Sequence, residues 1–521
     1  MKKFFSSKKL LAAALTLAFA AGTMSSAATA ASLSRKPQDN LIIGSAIEPT
    51  GLDPAYVSDL DSATLTYNIY ESLLRNKPDS YELEPCLAES WTISDDGKTY
   101  TFKLRQGVKF HDGTPFNAEA VKFNIDRQLP PKQTPQMAYA QLTLTDIESV
   151  KVIDEYTVEI KLKQSSTPFL SNMSISFGAA MISPTALKKY NNNVSNNPVG
   201  TGPYKFVSWD KGQNLVLTTN EDYWGPKPAV QNVIFRIIKD TSARVVALNN
   251  GEVDVINGVN STLYDQIKSG GSKIYENESN NTDYMVFNCR EGYVTADPEV
   301  RKAISQAINV PELVETLHRG FSTPAHSYFP SILAGYSKDV RTPAYDPEAA
   351  ARVLAAKGVK ELKLMAYSGA RAANPAGGQV LAEAIQAYLK KAGVKVNIEV
   401  YDWANYRARM LTDKWDLCFI GWMGDHGDPD NFIQPLSSAD PATNPGLWQN
   451  AEFIEKTNKA RHMPEGAERV ALYARANQIV TEDSGILPLY HVKNVAAYRP
   501  NISGQIIHPI GVLFFNQMSK K

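Results

Sequence analysis

Hydrophobic and polar residues alternate with a period of two in several short runs of the first half of the chain. Residues 100–104 (YTFKL) alternate in this way after a turn signal at 95–97 (DDG), and residues 156–162 (YTVEIKL) alternate again. Such alternation is typical of strands that bury one face and expose the other. Residues 215–219 and 233–238 look similar, so this half is predicted to be a mixed lobe of sheet layers with helices between them.

Beyond residue 283, segments with a helical pattern alternate with segments that have a strand pattern. Residues 347–356 are predicted as a helix because Asp346 is a good N-cap, Pro347 fits the first helical position and Gly358 suits the end. The other periodic segments predict, in chain order, a helix at 300–308, a strand at 362–367, a helix at 379–391, a strand at 394–400, a helix at 403–412, a strand at 416–421, a helix at 467–480 and a strand at 486–490. Strands joined by helical crossovers run parallel, so residues 362–421 are predicted to form a β-α-β-α-β unit with helices on both faces.

The length of the chain, 521 residues, exceeds what one hydrophobic core usually supports. The tail after residue 486 again has a sequence pattern typical of strands, as the first half does. A chain whose end resembles its beginning suggests that one lobe is inserted into another, with two crossings between them. We therefore expect lobe I to comprise residues 31–284 and 487–521, and lobe II, of α/β type, to comprise residues 285–486.

The first residues have the order of parts that a secretory signal peptide needs. Lysines at positions 2, 3, 8 and 9 precede a mostly apolar stretch at 10–21, which is followed by small residues ending in Ala28-Thr29-Ala30. As a helix this stretch would span about 18 Å, less than the roughly 30 Å of a bilayer core. We therefore expect residues 1–30 to be a cleaved signal peptide of a periplasmic protein without stable membrane insertion. No Cys lies near the cleavage site, so a lipoprotein is not expected.

Composition narrows the classes of function. A content of 43% hydrophobic and 21% charged residues is that of a globular protein. Without the four leader lysines, the 54 basic residues become 50 against 54 acidic ones, and this balance argues against a nucleic-acid partner. Three cysteines, an odd number, are too few for a disulfide scaffold. Cys418 is expected in the core, and a bridge between Cys86 and Cys289 stays open.

Two loops of the predicted α/β unit carry the candidate chemistry, because ligands bind beyond the carboxyl ends of parallel strands. The loop after residues 362–367 contains Arg371, and a planar guanidinium matches a carboxylate with two parallel hydrogen bonds. The loop after residues 416–421 contains Asp425, and a carboxylate suits an ammonium group. Gly424 lets backbone approach a ligand closely, and Trp422 offers a flat apolar wall. Together Arg371 and Asp425 fit a zwitterion with separated charges.

Several short motifs are spread over nearly all of the chain after the leader. They are LDP (52–54), LAESW (87–91), KTYTFKLR (98–105), VKFHDGTPF (108–116), GTGPY (200–204), the Asn220 to Trp224 segment (NEDYW) and RKAI (301–304) with AI (307–308). With these motifs the chain resembles a known family, the peptide/nickel-type solute-binding proteins of bacterial ABC importers, extracellular solute-binding protein family 5. Most of these motifs are structural in character and indicate the family rather than the ligand.

Within that family, residues 421–432 (GWMGDHGDPDNF) are most similar to the dipeptide-binding branch. There the acid that matches Asp425 holds the peptide amino terminus, and the arginine of an R-x-x-N-P loop, here Arg371, holds the peptide carboxylate. This chain departs from the branch by a histidine after Asp425 and by two alanines after Arg371. The candidate ligand-binding residues are therefore Arg371, Asp425, Trp422, Gly424, His426 and Met423.

The resemblance also implies a fold and a function. The fold is an α/β two-lobed periplasmic binding protein, or Venus flytrap, whose enlarged first lobe contains an extra subdomain, with hinge crossings near 284–288 and 486–490. The function is capture of dipeptides, extending to short oligopeptides, and their delivery to an inner-membrane ABC permease. Such a protein is not an enzyme, and we expect a monomer without cofactor or metal.

Other functions remain as alternatives. A carrier of nickel, haem or a glutathione-type ligand belongs to the same family, and His426 beside Asp425 is the candidate metal ligand. The seven histidines are scattered, however, and none forms a close pair with another histidine or a cysteine. An exported hydrolase is less well supported, because the sequence has no G-x-S-x-G and no H-E-x-x-H motif.

Overall fold

The computed structural model describes residues 36–259, 261–369, 371, 374, 376–504 and 507–521. The predicted signal peptide, residues 1–30, lies outside them. The strands are β1 (Asn40–Ser45), β2 (Leu74–Asn76), β3 (Leu83–Pro85), β4 (Ala88–Ile93), β5 (Thr99–Leu104), β6 (Ile147–Asp154), β7 (Thr157–Leu162), β8 (Tyr204–Asp210), β9 (Asn214–Thr219), β10 (Asn232–Ile237), β11 (Val255–Asn257), β12 (Lys273–Glu278), β13 (Asn281–Phe287), β14 (Ser322–Pro324), β15 (Glu361–Tyr367), β16 (Lys395–Tyr401), β17 (Leu417–Met423), β18 (Ile486–Tyr498), β19 (Ile502–Gly504) and β20 (Met518–Lys520).

Helices cover both faces of the sheets. They are α1 (Leu60–Ile69), α2 (Ala118–Asp126), α3 (Ala138–Thr143), α4 (Phe169–Asn172), α5 (Ser176–Ala179), α6 (Pro184–Lys189), α7 (Thr241–Asn250), α8 (Tyr264–Ser269), α9 (Pro298–Gln306), α10 (Val310–His318), α11 (Pro347–Ala356), α12 (Gly378–Lys391), α13 (Trp403–Thr412), α14 (Asp430–Ser437), α15 (Ala451–His462) and α16 (Ala467–Glu482). Single 3-10 turns occur at Pro37–Asp39, Ser261–Leu263, Val294–Ala296 and Phe515–Gln517.

Capping side chains fix where helices begin. The Asp346 carboxylate accepts the backbone N–H of Ala349 at 2.8 Å, and Pro347 is the first residue of α11, as the sequence predicts. Asp402 does the same for α13 by accepting from the N–H of Asn405 at 3.2 Å. Both helices, α11 and α13, therefore begin at the predicted residue, directly after a capping aspartate.

The predicted β-α-β-α-β unit is confirmed. β15 pairs in parallel with β16 along its whole length and with β17 through Leu364–Leu417 and Met365–Cys418. α12 and α13 are the two crossovers. The largest hydrophobic core surrounds this unit and includes fully buried residues of its helices and strands, among them Leu362, Leu364, Leu381, Ile385, Leu389, Tyr406 and Leu417.

One long strand joins the α/β unit to the rest of the molecule. β18 pairs antiparallel with β13 through residues 486–490, and with β12 through residues 493–498. The main sheet therefore runs continuously in the order β16-β15-β17-β13-β18-β11-β1-β10-β9-β8, with β12 and β14 also paired to β18. The two halves of the sheet share a backbone ladder at this strand.

A separate core lies in the first half of the chain. It surrounds the four-stranded antiparallel sheet β4-β5-β7-β6 and contains Phe102, Phe116, Val158 and Ile160. Another core packs around β1, β9 and β10 and is closed by residues of the tail, including Leu513 and Phe515. The mixed first lobe, its extra subdomain and the return of the tail are thus in agreement with the two-lobed fold expected from the resemblance.

The structure decides one open question and corrects one expectation. All three cysteines are free, so the bridge between Cys86 and Cys289 that the sequence left open is absent. Cys86 lies in the core of the four-stranded sheet, whereas Cys289 packs against the core of the α/β unit, so the two thiols belong to different cores. The corrected expectation concerns Trp422 and Met423. They belong to β17 instead of the following loop, because β13 pairs with them through Thr282 and Asn281.

Candidate functional site

The site lies where the carboxyl ends of two neighbouring parallel strands meet. Arg371 follows β15 and Asp425 follows β17. Since β15 and β17 are paired in parallel, both loops emerge at the same edge of the sheet. No ion pair or hydrogen bond joins Arg371 to Asp425 among the described residues, so each charge is held by its own surroundings.

Asp425 is held by two polar side chains. The Tyr139 hydroxyl donates to Asp425 Oδ1 at 2.8 Å, and Asn431 Nδ2 donates weakly to Oδ2 at 3.4 Å. Burial raises the pKa of Asp425 above its ordinary value, and the hydrogen bond from Tyr139 is the largest influence in the opposite direction. A carboxylate has about four lone-pair positions, so Asp425 retains capacity for a ligand donor.

Asn431 organises the backbone on the other side of Asp425. Its Oδ1 accepts from the Asp425 N–H at 3.1 Å and from the Trp422 indole N–H at 3.1 Å. Asn431 lies in the first turn of α14. The loop between β17 and α14 is therefore folded around one amide side chain, which fixes Trp422 and Asp425 relative to each other.

An aromatic wall, defined here as Tyr67, Tyr81, Tyr139, Phe177 and Phe514, covers Asp425. Tyr139 lies 4.5 Å from Phe177 between ring centroids, and Tyr67 packs edge to face on Phe514 at 5.8 Å. The negative charge of Asp425 contributes, after burial, to the raised pKa of the Tyr67, Tyr81 and Tyr139 hydroxyls. The wall comes from residues 67–177 and the tail, whereas Asp425 comes from the α/β unit, so the site is enclosed from both parts of the molecule.

Gly424 is a position of close packing. Its N–H donates to the Asn280 carbonyl at 2.6 Å, and a Cβ there would lie 2.2 Å from Asn280 Nδ2 and 2.5 Å from Phe432. Asn280 Nδ2 in turn donates to the His426 carbonyl at 2.8 Å. The absence of a side chain at Gly424 thus lets the segment between β12 and β13 approach the Asp425 loop.

His426 is buried, and both of its ring nitrogens are engaged. Nδ1 accepts from the Asp428 N–H at 3.1 Å, which leaves Nε2 protonated to donate to Asn172 Oδ1 at 3.0 Å. Burial lowers the pKa of His426, so the neutral form is favoured. His426 therefore connects the Asp425 loop to α4 in this structure. Met423, by contrast, is exposed at the end of β17.

Asp428 and Asp430 are structural acids. Asp428 pairs with Arg469 at 2.8 Å, and Asp430 pairs with Arg461 at 2.6 Å while it accepts the Tyr473 hydroxyl at 3.0 Å. Buried carboxylates with such partners anchor α14 to α15 and α16 rather than bind a ligand. Across the described ranges there is no cluster of three His, Cys, Asp or Glu residues that could hold a metal ion.

Arg371 has fewer partners than Asp425. Its guanidinium stacks on Trp403, 3.6 Å above the ring centroid. Its backbone N–H and carbonyl pair with Asn374 at 2.9 and 3.0 Å, and Asn374 Nδ2 donates to the Tyr367 hydroxyl at 2.9 Å. Within the described part of the chain no carboxylate forms an ion pair with this guanidinium. Its hydrogen-bond donors are available to a ligand carboxylate.

Sequence reasoning missed several residues of the site. Asn431 and Trp403 lie inside predicted segments, but nothing in the pattern gives them a role. Tyr139 and Asn280 come from distant parts of the chain and have no local signal at all. The hydrogen bond from the half-buried Tyr139 to Asp425 becomes visible only in the folded structure, which brings these two distant residues together.

Comparison with known proteins decides the family. The sequence profile described as "Bacterial extracellular solute-binding proteins, family 5 Middle" matches residues 82–444. The chain belongs to this family. It is 32% identical to heme-binding protein A of Haemophilus influenzae, with 96% of this chain and 97% of that protein covered. It is 31% identical to di/tripeptide-binding protein 2 of Pseudomonas aeruginosa, with 97% of both chains covered.

A solved structure leads to the same family. The periplasmic binding protein DppA of Helicobacter pylori in complex with the peptide STSA superimposes with a TM-score of 0.79 at 30% identity, covering 92% of this chain and 98% of that one. Other relatives are named for glutathione and nickel. The chain is thus a solute-binding protein of the kind that serves ABC importers, and its relatives are binding proteins rather than enzymes. The described residues contain no helix that is both long and apolar enough to cross a bilayer.

Proposed function

We propose that this protein binds dipeptides in the periplasm and delivers them to an inner-membrane ABC permease. Asp425 would hold the peptide ammonium group and Arg371 the peptide carboxylate. The observation that carries the proposal is the pair of opposite charges at adjacent strand ends, each with hydrogen-bonding capacity left over. Trp422, Met423, Gly424 and His426 would shape the space around the ammonium end.

Closure of two lobes, 31–284 with 487–521 and 285–486, is part of this proposal. Contacts between these parts support it. The Thr167 N–H donates to the Arg461 carbonyl at 3.0 Å, and the Ser165 hydroxyl donates to the His462 carbonyl at 3.1 Å. Together with Tyr139 on Asp425, they are contacts that would form as the lobes close on a ligand.

Calorimetry with a neutral dipeptide such as Ala-Leu tests the proposal. Arg371 is exposed in this structure, but the proposed closure would bury its pair with the ligand carboxylate. Arg371→Ala is then expected to weaken binding by about 30-fold or more, because truncating one partner of a buried charge pair costs about 2–5 kcal/mol. Amidated Ala-Leu should lose about as much in the wild-type protein, and it should lose little further in the variant. Arg352→Ala removes an exposed arginine of α11 and is the matched control.

Unchanged affinity for Ala-Leu in Arg371→Ala would remove Arg371 from the site. The nickel, haem and glutathione alternatives are tested by titrating the protein with Ni²⁺, haem and glutathione in the same way. If one of these binds more tightly than every dipeptide tested, that compound and not a dipeptide is the ligand. Sedimentation of the ligand-bound protein checks the expected monomer, and recovery of intact peptide after incubation checks that no hydrolysis accompanies binding.

A further inference from the structure

A second acid lies in the sheet beside the Arg371 loop. Asp283 is on β13, directly opposite Gly421 of β17 and Tyr490 of β18. Directly opposed residues of antiparallel strands project to the same face. A Cβ on Gly421 would lie 2.6 Å from Asp283 Oδ1, so glycine at this position leaves the space that the carboxylate occupies.

The Asp283 carboxylate has one oxygen without a hydrogen-bond partner among the described residues. This oxygen is Oδ2, and the residue is 6% exposed. Burial raises the pKa of Asp283 well above its ordinary value, and the positive charge of Arg371 is the influence that opposes the rise. A buried carboxyl oxygen without a partner costs stability and calls for a functional reason.

The surroundings of Asp283 are unusually polar for a sheet face. The Tyr490 ring packs edge to face on His318 at 4.2 Å between centroids. His318 Nδ1 lies 2.7 Å from the Ser322 hydroxyl. The Asp283 charge also contributes to the raised pKa of the Tyr367 and Tyr490 hydroxyls. The unpartnered Asp283 oxygen thus lies in a polar region of the sheet, two strands away from β15, whose carboxyl end leads into the Arg371 loop.

We propose that Arg371 and Asp283 form a subsite for the zwitterionic end of a ligand, in which Arg371 takes the carboxylate and Asp283 takes a cationic group attached to the same terminal residue. This deepens the proposed function and rests on it. A ligand that brings only a carboxylate leaves Asp283 unpaired, whereas a ligand that also brings an ammonium group satisfies both side chains. The ligand class is peptides with such an ammonium group at the carboxylate end.

Two kinds of peptide carry this chemistry. A C-terminal lysine has the ammonium at the end of a long side chain, and a C-terminal 2,4-diaminobutyrate has it closer to the carboxylate; dipeptides of both kinds keep the N-terminal ammonium for Asp425. Calorimetry should therefore compare Ala-Lys with Ala-norleucine, and Ala-diaminobutyrate with Ala-norvaline. Within each pair the two ligands differ by an ammonium group and little else.

We expect the wild-type protein to prefer the ammonium-bearing member of at least one pair by about tenfold or more. The pair with the larger preference identifies the source of the cation. Asp283→Asn keeps the shape, removes the charge and should bring that preference close to one. Glu383→Gln removes an exposed acid of α12 and should keep it. Asp283→Asn should melt at or above the wild-type temperature, because it removes an unpaired buried carboxyl group.

A wild-type preference below about twofold in both pairs overturns this inference without needing any variant, and so does a preference that survives in folded Asp283→Asn. If neutral dipeptides bind but no preference exists, the proposed function stands and only the subsite falls. If no peptide binds at all, both fall.

Discussion

The two charged ends of the candidate site are built differently. Asp425 is enclosed by an aromatic wall and oriented by Tyr139 and Asn431. Arg371 lies on one indole ring and has no polar side chain holding its guanidinium within the described residues. The acid is preorganised, and part of its hydrogen-bonding capacity is already used; the arginine is positioned by a single surface, and its donors remain free. Preorganisation lowers the ordering cost of binding. Substitutions at the Asp425 end should therefore reduce dipeptide affinity more than substitutions that disturb the position of Arg371.

The largest expected effect is loss of the Asp425 charge. Asp425→Asn keeps an acceptor for Tyr139 but cannot pair with an ammonium group, so dipeptide affinity should fall by about 2–5 kcal/mol, roughly 30-fold to several thousand-fold. Calorimetry with Ala-Leu measures the change. Asp339→Asn removes an exposed carboxylate of the same half and serves as the control. A loss below about threefold would mean that the ammonium is held elsewhere.

Tyr139→Phe tests what the orienting hydroxyl contributes. It removes the 2.8 Å hydrogen bond to Asp425 and leaves the packing on Phe177 in place. A hydrogen bond to a charged group contributes about 1.5–3 kcal/mol, so affinity should fall by roughly 10- to 150-fold. Tyr293→Phe, a half-buried tyrosine far from Asp425 in the chain, should bind as the wild type does. Equal affinity in both variants would show that Asp425 needs no orientation from the wall.

Trp403→Leu tests the arginine end and should have a smaller effect. The stack on Trp403 contributes about 0.5–1 kcal/mol if it resembles other exposed cation–π contacts, which corresponds to a loss of roughly threefold. Trp403 also packs against Tyr367 and Tyr406, so the melting temperature must be measured beside the affinity. A loss as large as that of Arg371→Ala in a folded variant would mean that the indole is as important as the charge.

The smallest effect at neutral pH concerns proton binding. Because burial raises the pKa of Asp425, the carboxyl group takes up a proton at a higher pH than an ordinary aspartate does. The protonated form cannot pair with an ammonium, so affinity for dipeptides should be highest above this pKa and should fall as the pH is lowered through it. Titrations on a descending pH series should show this decline in the wild type, with a flatter profile in Asp425→Asn. An equally steep decline in both would assign it to another group.

The helices and strands of the α/β unit could be predicted from the sequence because the patterns that indicate them lie within each segment. Asp346 caps α11 at the predicted residue, and the helices and strands between residues 361 and 423 follow the periodicities of their own segments. Arg371 and Asp425 could be singled out for the same reason, since the ends of parallel strands can be read from the sequence.

The rest depends on contacts between distant residues. β17 extends over Trp422 and Met423 because β13 pairs with them, and no periodicity within residues 416–423 announces that pairing. Tyr139 and Asp283 have ordinary local patterns, and their positions beside Asp425 and Gly421 arise only from the tertiary fold. The free thiols of Cys86 and Cys289 follow from their assignment to different cores, which the spacing of cysteines cannot reveal.

Strand β18 has a mechanical consequence. Its residues 486–490 pair with β13, its residues 490–492 with β14 and its residues 493–498 with β12. If the two lobes open as proposed, a bend at residues 490–492 would disturb only the three-residue ladder with β14 and leave the longer ladders intact. Side-chain contacts between the lobes, such as the phenol of Tyr139 on Asp425, would then oppose opening, and substitutions at those contacts would shift the population toward the open form.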